Sequence, residues 1–260
     1  MSVIYNQAQT IPSGVEKENQ MESQYKVLDL PKDLKELDYK EVYSEKSYEE
    51  YIQNYKLGKR KKYFYKFTKR LFDIIFALVL LIVLSPVMII ATIAICIEMI
   101  FCKKSRGRIF FLQKRIGKND KYFGCLKFRT MKKTAPNNCS AGAMGDVKNQ
   151  CTKVGYFLRR FSLDEIPQLF CVLIGTMSLV GPRPLISSLA QTNEMRTRLG
   201  VLQNVKPGIT GWAQVNGRDD AYYKNKAVMD AEYVKKASIW FDIKILFLTV
   251  KVVFSKKGAI

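Results

Sequence analysis

The sequence predicts an α+β protein in which one apolar segment enters a membrane and a small, mostly helical domain carries a short β-hairpin. Three observations predict this fold class. Residues 74–97 form a run of 24 residues without a charge, long enough to cross a hydrocarbon core of about 30 Å. Residues 109–131 have the pattern of two strands around a GKND turn. Residues 154–175, 186–203 and 227–254 have helical patterns, and the last ends in an apolar stretch typical of an interfacial or a core helix.

Charge divides the chain into unlike parts. Residues 1–55 contain 6 Lys and Arg against 11 Asp and Glu, a net charge of −5, whereas the rest of the chain carries a net charge of +25. The polar composition of residues 1–60 predicts an acidic, flexible or loosely docked extension, with short helical patches around 31–55. The basic body attracts polyanions, which include nucleic acid, anionic lipid and phosphorylated substrates. We therefore expect an extension (1–60), a membrane segment (61–105) and a cytosolic domain (106–260).

The chain contains no histidine and six cysteines. The lack of histidine excludes a Ser-His-Asp triad and every zinc site that uses histidine. No two cysteines form a C-x-x-C pair, so the cysteines predict neither a disulfide framework nor a zinc ribbon and fit a reducing, cytosolic face. Acid–base or nucleophilic chemistry would therefore fall to Asp, Glu, Lys, Tyr, Ser or Cys.

Basic residues flank the apolar run on both sides. Residues 56–70 include eight Lys and Arg interleaved with Tyr and Phe, and six more basic residues follow between positions 103 and 115. The positive-inside rule keeps both flanks on the cytoplasmic side, which a hairpin entering and leaving one leaflet would satisfy. Ser85-Pro86 lies at the middle of the run, where proline breaks or bends a helix and a serine hydroxyl can bond a freed carbonyl. The residues alone leave open a re-entrant hairpin and a spanning helix with a tolerated proline.

Two adjacent carboxylates in the stretch FSLDEIPQLF (161–170) fit either a structural or a chemical role. In a capping box, Ser162 would be the N-cap, Glu165 would bond back to it, and Asp164 would add favourable charge. Pro167 argues against this box, because it would occupy a position whose N–H should already be bonded. In the alternative, the helix begins at Pro167 and both carboxylates lie exposed on the turn that leads into it.

Basic residues and prolines surround these carboxylates in the sequence. They are Lys127 and Arg129 in KFR, Arg159 and Arg160 before the pair, and Pro182, Arg183 and Pro184 in GPRP, and all of these except Arg159 are candidate substrate-binding residues. The two prolines fix the backbone around Arg183, which suits bidentate phosphate binding, although each motif alone is more often a solvated surface. Two carboxylates amid several cations suit a Mg²⁺-assisted phosphoryl transfer, because Mg²⁺ binds a few carboxylate oxygens together with substrate phosphates. The cations would neutralise the oxygens of the transferring group.

Seven motifs, taken in order, resemble the bacterial sugar transferases, the monotopic phosphoglycosyl transferases that start polysaccharide and glycoconjugate assembly. The motifs are KRLFDI (69–74), Ser85-Pro86, FFLQKRIG (110–117), KFRTM (127–131), LRRFSLDEIPQL (158–169), MSLVGPRP (177–184) and VKPGITGWAQVNGR (205–218). The resemblance covers roughly residues 65–258, and the long motifs are specific in combination.

The resemblance implies a mechanism. Asp164 would attack the sugar-linked phosphorus of a UDP-sugar, release UMP and form a covalent aspartyl-phosphosugar. The phosphate of undecaprenyl phosphate would then attack this intermediate. Glu165 would help to hold Mg²⁺, Arg183 with its prolines would match the substrate-binding turn, and Lys127 and Arg129 would match the strand that borders the active site. An ionised carboxylate nucleophile needs no histidine base.

The resemblance also implies a topology. The membrane segment would be a re-entrant helix broken at Ser85-Pro86, with Lys69 and Arg70 at headgroup level. The catalytic domain would lie on the cytoplasmic face of the cell membrane. The chain departs from the family pattern at Cys171, where asparagine is usual, and at Thr176, where an acidic residue is usual.

A competing hypothesis is a non-catalytic, membrane-anchored basic module that binds anionic lipid or polymer. It explains the charge and the apolar run but not the ordered motifs. Nucleic acid is not an expected partner, because the chain has no recognisable nucleic-acid recognition fold. The sequence leaves open which UDP-sugar is used, which glycan is made, what residues 1–60 do and whether the protein forms a homodimer.

Overall fold

The computed structural model describes residues 43–55, 57, 63–135, 147–186, 190–216 and 223–254, so most of the predicted extension lies outside the described residues. Within these ranges the helices are α1 (Glu45–Tyr55), α2 (Tyr63–Phe101), α3 (Val147–Gln150), α4 (Lys153–Arg160), α5 (Gln168–Ile174), α6 (Ala190–Arg198), α7 (Val201–Asn204), α8 (Trp212–Asn216), α9 (Tyr223–Lys236) and α10 (Ile239–Phe254). The strands are β1 (Phe110–Ile116), β2 (Tyr122–Phe128), β3 (Ser178–Val180) and β4 (Gly208–Thr210), paired in two two-stranded sheets. This mixture of helices and short sheets confirms the predicted α+β class.

Helix α2 continues through the predicted break. It runs from Tyr63 to Phe101 with Pro86 inside it, so the expected interruption at Ser85-Pro86 is not found. Pro86 has no backbone N–H and frees the carbonyl of Ile82, four residues earlier. The Ser85 hydroxyl donates to that carbonyl at 2.7 Å. This bond to a freed carbonyl, which the sequence predicted, satisfies the acceptor that the proline leaves open.

Both halves of α2 pack on the same body. Ala77, in the first half, is fully buried in the main core. Ala91 and Ile95, in the second half, form a smaller core with Phe128 and Leu158. Many other side chains of α2 are apolar and exposed. Across the described ranges, α2 is the one helix that is long and apolar enough to cross a membrane.

Strands β1 and β2 form the predicted hairpin. They pair antiparallel from Phe110 opposite Phe128 to Ile116 opposite Tyr122. A 3-10 turn, Lys118–Asp120, joins them, and its last two residues have φ angles of 56° and 58°. Asn and Asp tolerate this left-handed conformation better than most residues, so the GKND sequence suits the turn that it forms.

Strands β3 and β4 run parallel and bring the GPRP segment against the loop before β4. The backbone N–H of Gly181 donates to the carbonyl of Thr210 at 2.8 Å. A side chain on Gly208 would be impossible without movement, because its Cβ would lie 2.1 Å from the nitrogen of Gly181. The glycines therefore allow two backbones to meet at the place where the GPRP turn starts.

Helix α1 packs into the core, although the sequence predicted a loose extension. Tyr48, Tyr51 and Ile52 are buried, and the Tyr48 hydroxyl donates to the side-chain oxygen of Asn225 at 2.5 Å. These three residues are spaced i, i+3, i+4, which places them on one face of a helix. The last part of the predicted extension is thus a structural part of the body.

A glycine divides the helix predicted over 186–203. Gly200 lies between α6 and α7 with a φ of 76°, and a Cβ there would lie 2.6 Å from the carbonyl oxygen of Leu57. The N–H of Leu57 in turn donates to the carbonyl of Leu199 at 2.9 Å. The chain that follows α1 therefore crosses the body at this glycine.

Candidate active site

The two sequence-predicted carboxylates lie on a 3-10 turn, Leu163–Glu165, directly before α5. Ser162, which precedes the turn, has a left-handed backbone (φ 56°, ψ 21°) and makes no side-chain capping bond. Helix α5 begins at Gln168, and Pro167 is its N-cap. The capping-box interpretation is therefore wrong, and the alternative, in which the helix starts at the proline, is confirmed to within one residue.

The two carboxylates have different surroundings. Asp164 is only 7 % exposed, not on the surface as the sequence suggested. In the part of the chain that the structure describes, no hydrogen bond reaches its carboxylate. Glu165 accepts from Lys127 Nζ at 2.7 Å and from Arg183 Nη2 at 2.7 Å on Oε1, and from Arg183 Nη1 at 3.2 Å on Oε2. A bidentate arginine pair of this kind fixes orientation as well as charge.

Burial and the neighbouring cations shift the two carboxyl pKa values in opposite directions. Burial raises the pKa of Asp164, and the lowering effect of Lys127 and of Arg159 does not cancel it. Burial also acts on Glu165, but Arg183 and Lys127 together outweigh it and hold the pKa of Glu165 well below its usual range. Glu165 is thus a fixed negative charge and Asp164 the more basic carboxylate. Paired groups whose pKa values are pushed apart are typical of sites where the two have separate roles.

The GPRP turn is held from several sides. The N–H of Gly208 donates to the carbonyl of Pro182 at 2.9 Å. The Arg115 guanidinium donates to the carbonyl of Pro184 and to the side chain of Gln113. Burial lowers the pKa of Arg115 to about 10, and the charge of Arg183 acts in the same direction. Arg115 therefore supports the turn from the β-hairpin.

Arg196 supports the same turn from helix α6. It is 2 % exposed, and its Nη1 donates to the carbonyl of Arg183 at 2.9 Å. Its Nε donates to Asp230 on α9 at 2.7 Å, and this carboxylate is also buried. A buried pair of this kind is costly to break from one side. Arg196 thus ties the backbone of Arg183 to the helical part of the body.

The structure brings some predicted basic residues to the carboxylates and places others elsewhere. Lys127 and Arg183 contact Glu165, whereas the Arg129 guanidinium donates to the carbonyl of Met131. Arg160 is exposed and lies over the ring of Phe161. Of the two arginines before the carboxylates, Arg159 is the one whose charge lowers the pKa of Asp164.

Sequence reasoning missed the supporting roles of Arg115 and Arg196, because their partners are backbone carbonyls remote in sequence. The only signal available for Arg115 was its place in the FFLQKRIG motif, which names no partner. Of the arginine pair before the carboxylates, the sequence analysis chose Arg160 as a substrate-binding residue and missed Arg159.

Lys69 and Arg70 make contacts inside the protein rather than presenting their side chains at a surface. Lys69 Nζ lies 3.0 Å from Asp242 and 3.5 Å from Asp73. The Arg70 guanidinium donates to the carbonyls of Val172 and Leu173 at 2.6 and 2.7 Å. These are the last carbonyls of α5, where a cation is favourable. These contacts fasten the start of α2 to the body, and the headgroup level of the two residues stays a prediction.

The carboxylates fit a magnesium ion that takes most of its ligands from a substrate. Among the described residues there is no group of three or more His, Cys, Asp or Glu that could hold a metal. Mg²⁺ often binds through one or two carboxylates together with phosphates and waters. Asp164 and Glu165 provide this donor set, although Glu165 is shared with Lys127 and Arg183.

Comparisons with known proteins agree on one family. A family model described as bacterial sugar transferase matches residues 64–256. The undecaprenyl-phosphate galactose phosphotransferase of Salmonella typhimurium is 39% identical over 222 residues, 80% of this chain and 44% of its own length. The UDP-glucose:undecaprenyl-phosphate glucose-1-phosphate transferase of Escherichia coli is 41% identical over 197 residues, 74% of this chain and 41% of its own length. An uncharacterised sugar transferase of Bacillus subtilis is 42% identical over 191 residues, 73% of this chain and 89% of its own length. This chain thus spans less than half the length of the two relatives whose names give an activity.

Proposed function

Since the chain belongs to the bacterial sugar transferase family, we propose that it transfers a sugar phosphate from a UDP-sugar to undecaprenyl phosphate. The observation that carries the proposal is the division of roles on the Leu163–Glu165 turn. Glu165 is held by Lys127 and Arg183, whereas the more basic Asp164 beside it is bonded to no described residue. One carboxylate is thus fixed among cations, and its neighbour is left for covalent chemistry.

In the proposed first step, an Asp164 oxygen attacks the sugar-linked phosphorus of the UDP-sugar. The bond from this phosphorus to the bridging oxygen breaks, and UMP leaves with that oxygen. In the second step, a phosphate oxygen of undecaprenyl phosphate attacks the same phosphorus and the bond to Asp164 breaks. The carboxylate is regenerated, and the product is an undecaprenyl-diphospho-sugar. This reaction would be the initiating step of capsule, exopolysaccharide or related glycoconjugate synthesis.

The basic residues have distinct proposed roles in these steps. Arg183 would orient and neutralise the phosphate oxygens, and its backbone is fixed by Arg196. Lys127 reaches from β2 to the same point, so its ammonium group would lie beside the transferring phosphoryl group. Asp164 and Glu165 would hold Mg²⁺, which would supply charge neutralisation of the diphosphate when it is bound.

The packing of α2 supports a monotopic position in the cell membrane, and the basic flanks of the apolar run favour an active site on the cytoplasmic face. A straight helix of 39 residues would be about 58 Å long, more than enough to cross a bilayer. Its first half contacts the body through Ala77 and its second half through Ala91 and Ile95. A helix that touches one body through both of its halves is compatible with insertion into one leaflet and not with a body confined to one side of a crossed bilayer.

The test is UMP release by the full chain in detergent or nanodiscs, with Mg²⁺, undecaprenyl phosphate and a panel of UDP-sugars. The relatives are named for glucose and galactose, so UDP-glucose and UDP-galactose come first, followed by N-acetylated donors. Asp164→Asn should abolish release, whereas Asp120→Asn, an exposed carboxylate on the hairpin turn, should not. Without acceptor, the wild type should release about one UMP per enzyme and retain labelled sugar phosphate on the peptide that contains Asp164.

If a folded, membrane-bound wild type fails to release UMP with every donor tested, that result contradicts the proposal and favours the non-catalytic basic module. Turnover retained by Asp164→Asn would contradict the covalent mechanism while leaving the transferase activity in place. Turnover without any UMP burst in the absence of acceptor would likewise point to direct transfer between the two substrates.

A further inference from the structure

The end of helix α2 reaches the start of α4 through the side chain of Glu98. This half-buried residue lies three positions before α2 ends. Its Oε1 accepts from the Lys153 N–H at 2.7 Å, and its Oε2 accepts from the Val154 N–H at 3.3 Å. The next N–H, that of Gly155, donates to the Thr152 hydroxyl at 2.9 Å. The first three donors of α4 are thus satisfied, two of them by a carboxylate that belongs to another helix.

Apolar packing joins the same two helices to the turn that carries Asp164. Leu158, on α4, is buried with Ala91 and Ile95 of α2 in the smaller core. Leu163, the first residue of the turn, packs against this core. The turn therefore rests on the second half of α2.

Backbone hydrogen bonds connect α4 directly to this turn. The Ser162 N–H donates to the carbonyl of Arg159 at 3.0 Å, and the Glu165 N–H donates to the carbonyl of Ser162 at 3.3 Å. The eight residues of α4 span only about 12 Å. A shift at the start of α4 is therefore transmitted to Asp164 over a short, hydrogen-bonded segment.

The cations proposed to bind the phosphates of the donor are held by other elements. Lys127 lies on β2. The turn with Arg183 is fastened by Arg115 from the hairpin and by Arg196 from α6. A movement of α4 should thus displace the attacking carboxylate of Asp164 while these cations keep their places.

We propose that Glu98 is a positioning residue for the nucleophile: by holding the start of α4, it sets where Asp164 lies. This role rests on the proposed function, since it presupposes that Asp164 attacks the donor. It goes beyond that function because it makes the rate of the first step depend on α2, the helix proposed to enter the membrane.

The experiment follows UMP release by the full chain in nanodiscs, without acceptor, as the UDP-sugar concentration is varied. Glu98→Ala removes both acceptors and should lower the maximal burst rate about 10- to 100-fold, because a small misplacement of a reacting group is costly. Glu98→Gln keeps one acceptor but loses the charge, so its burst rate should fall only about two- to fivefold. In both variants the UDP-sugar concentration that gives half of the maximal rate should stay within about twofold of the wild type.

Ser44→Ala is the matched control, because it removes a cap from a helix that does not lead into the turn. The Ser44 hydroxyl accepts from the Ser47 N–H at 3.2 Å at the start of α1. This variant should lose thermal stability as Glu98→Ala does, but its burst rate should stay within about twofold of the wild type. A second readout, which does not depend on turnover, is hydrogen–deuterium exchange of residues 161–166. Exchange there should be faster in Glu98→Ala than in the wild type or in Ser44→Ala.

Unchanged exchange at residues 161–166 in Glu98→Ala would overturn the proposal, even if the wild type released no UMP. Equal losses of burst rate in Glu98→Ala and Ser44→Ala would also overturn it, because the effect would then be a general loss of stability. So would a higher half-saturating UDP-sugar concentration at an unchanged maximal rate, which would assign Glu98 to donor binding. A wild type without any burst would instead contradict the proposed function, and the exchange measurement would then decide whether Glu98 holds the turn.

Discussion

Arg196→Lys isolates the contact that holds the GPRP turn. The arginine makes two kinds of bond from one buried guanidinium, to Asp230 at 2.7 Å and to the carbonyl of Arg183 at 2.9 Å. Lysine keeps the charge beside Asp230 but is a single point donor and cannot reproduce the fork. The carbonyl of Arg183 therefore loses a charged donor, a contact worth about 1.5–3 kcal/mol. If the loss of this contact destabilises the transition state by the same free energy, kcat/KM falls about 10- to 150-fold.

The assay is UMP release with varied UDP-sugar at saturating acceptor, so that KM for the donor and kcat are separated. Arg198→Lys is the matched control. Arg198 lies two residues away on α6, is exposed and pairs with Glu49, and exposed pairs contribute only about 0–1 kcal/mol. We expect Arg196→Lys to raise KM and lower kcat/KM while Arg198→Lys stays within about threefold. An Arg196→Lys enzyme within twofold of wild type would refute the reasoning, as would equal losses in both variants.

Three further outcomes follow from the contacts described above. Because burial raises the pKa of Asp164 and the Arg159 charge opposes that rise, activity should fall on acidification, and Arg159→Gln should move the midpoint to higher pH. Arg160 lies over the exposed ring of Phe161, so Arg160→Gln should leave the pH profile unchanged. A shift of the midpoint in both variants would contradict the assignment of Arg159 as the residue that acts on Asp164. Tyr48→Phe removes the hydroxyl that donates to the buried side chain of Asn225 and should lower the free energy of unfolding by about 0.5–1.5 kcal/mol, measured by thermal or denaturant unfolding in detergent. Chelation with EDTA should abolish UMP release and added Mg²⁺ should restore it; full activity in EDTA would exclude the proposed metal.

The parts of the fold that the sequence predicted are those set by local rules. The GKND turn, the start of a helix at Pro167 and the bond from Ser85 to the carbonyl of Ile82 each depend on a few neighbouring residues. Proline and turn residues act through their own backbone, so their effects can be predicted without tertiary contacts. At Pro86 the residues alone left open a hairpin and a tolerated proline, and the structure has α2 continuous through this position.

The parts that could not be predicted depend on tertiary contacts. The sequence placed Lys127 and Arg129 together, but only the fold decides that Lys127 reaches Glu165 while Arg129 turns to Met131. The sequence analysis favoured Arg160 over Arg159 for substrate binding, but the helix leaves Arg160 exposed and Arg159 half-buried. The docking of α1 was missed although its signal was present, since Tyr48, Tyr51 and Ile52 have the spacing of a buried helical face.

The network that fastens the start of α2 also sets an order of events during synthesis. Asp242, on the last described helix, accepts from Tyr65, which lies 177 residues earlier in the chain, and it pairs with the buried Lys69. A ribosome adding about 5–20 residues per second needs roughly 10 to 35 s to cover that distance. Throughout this interval the apolar helix exists and Lys69 has Asp73, four residues later, but not yet Asp242 as a carboxylate partner. The nascent chain can therefore hold α2 at the membrane early, but it can bury Lys69 only after α10 has emerged and docked.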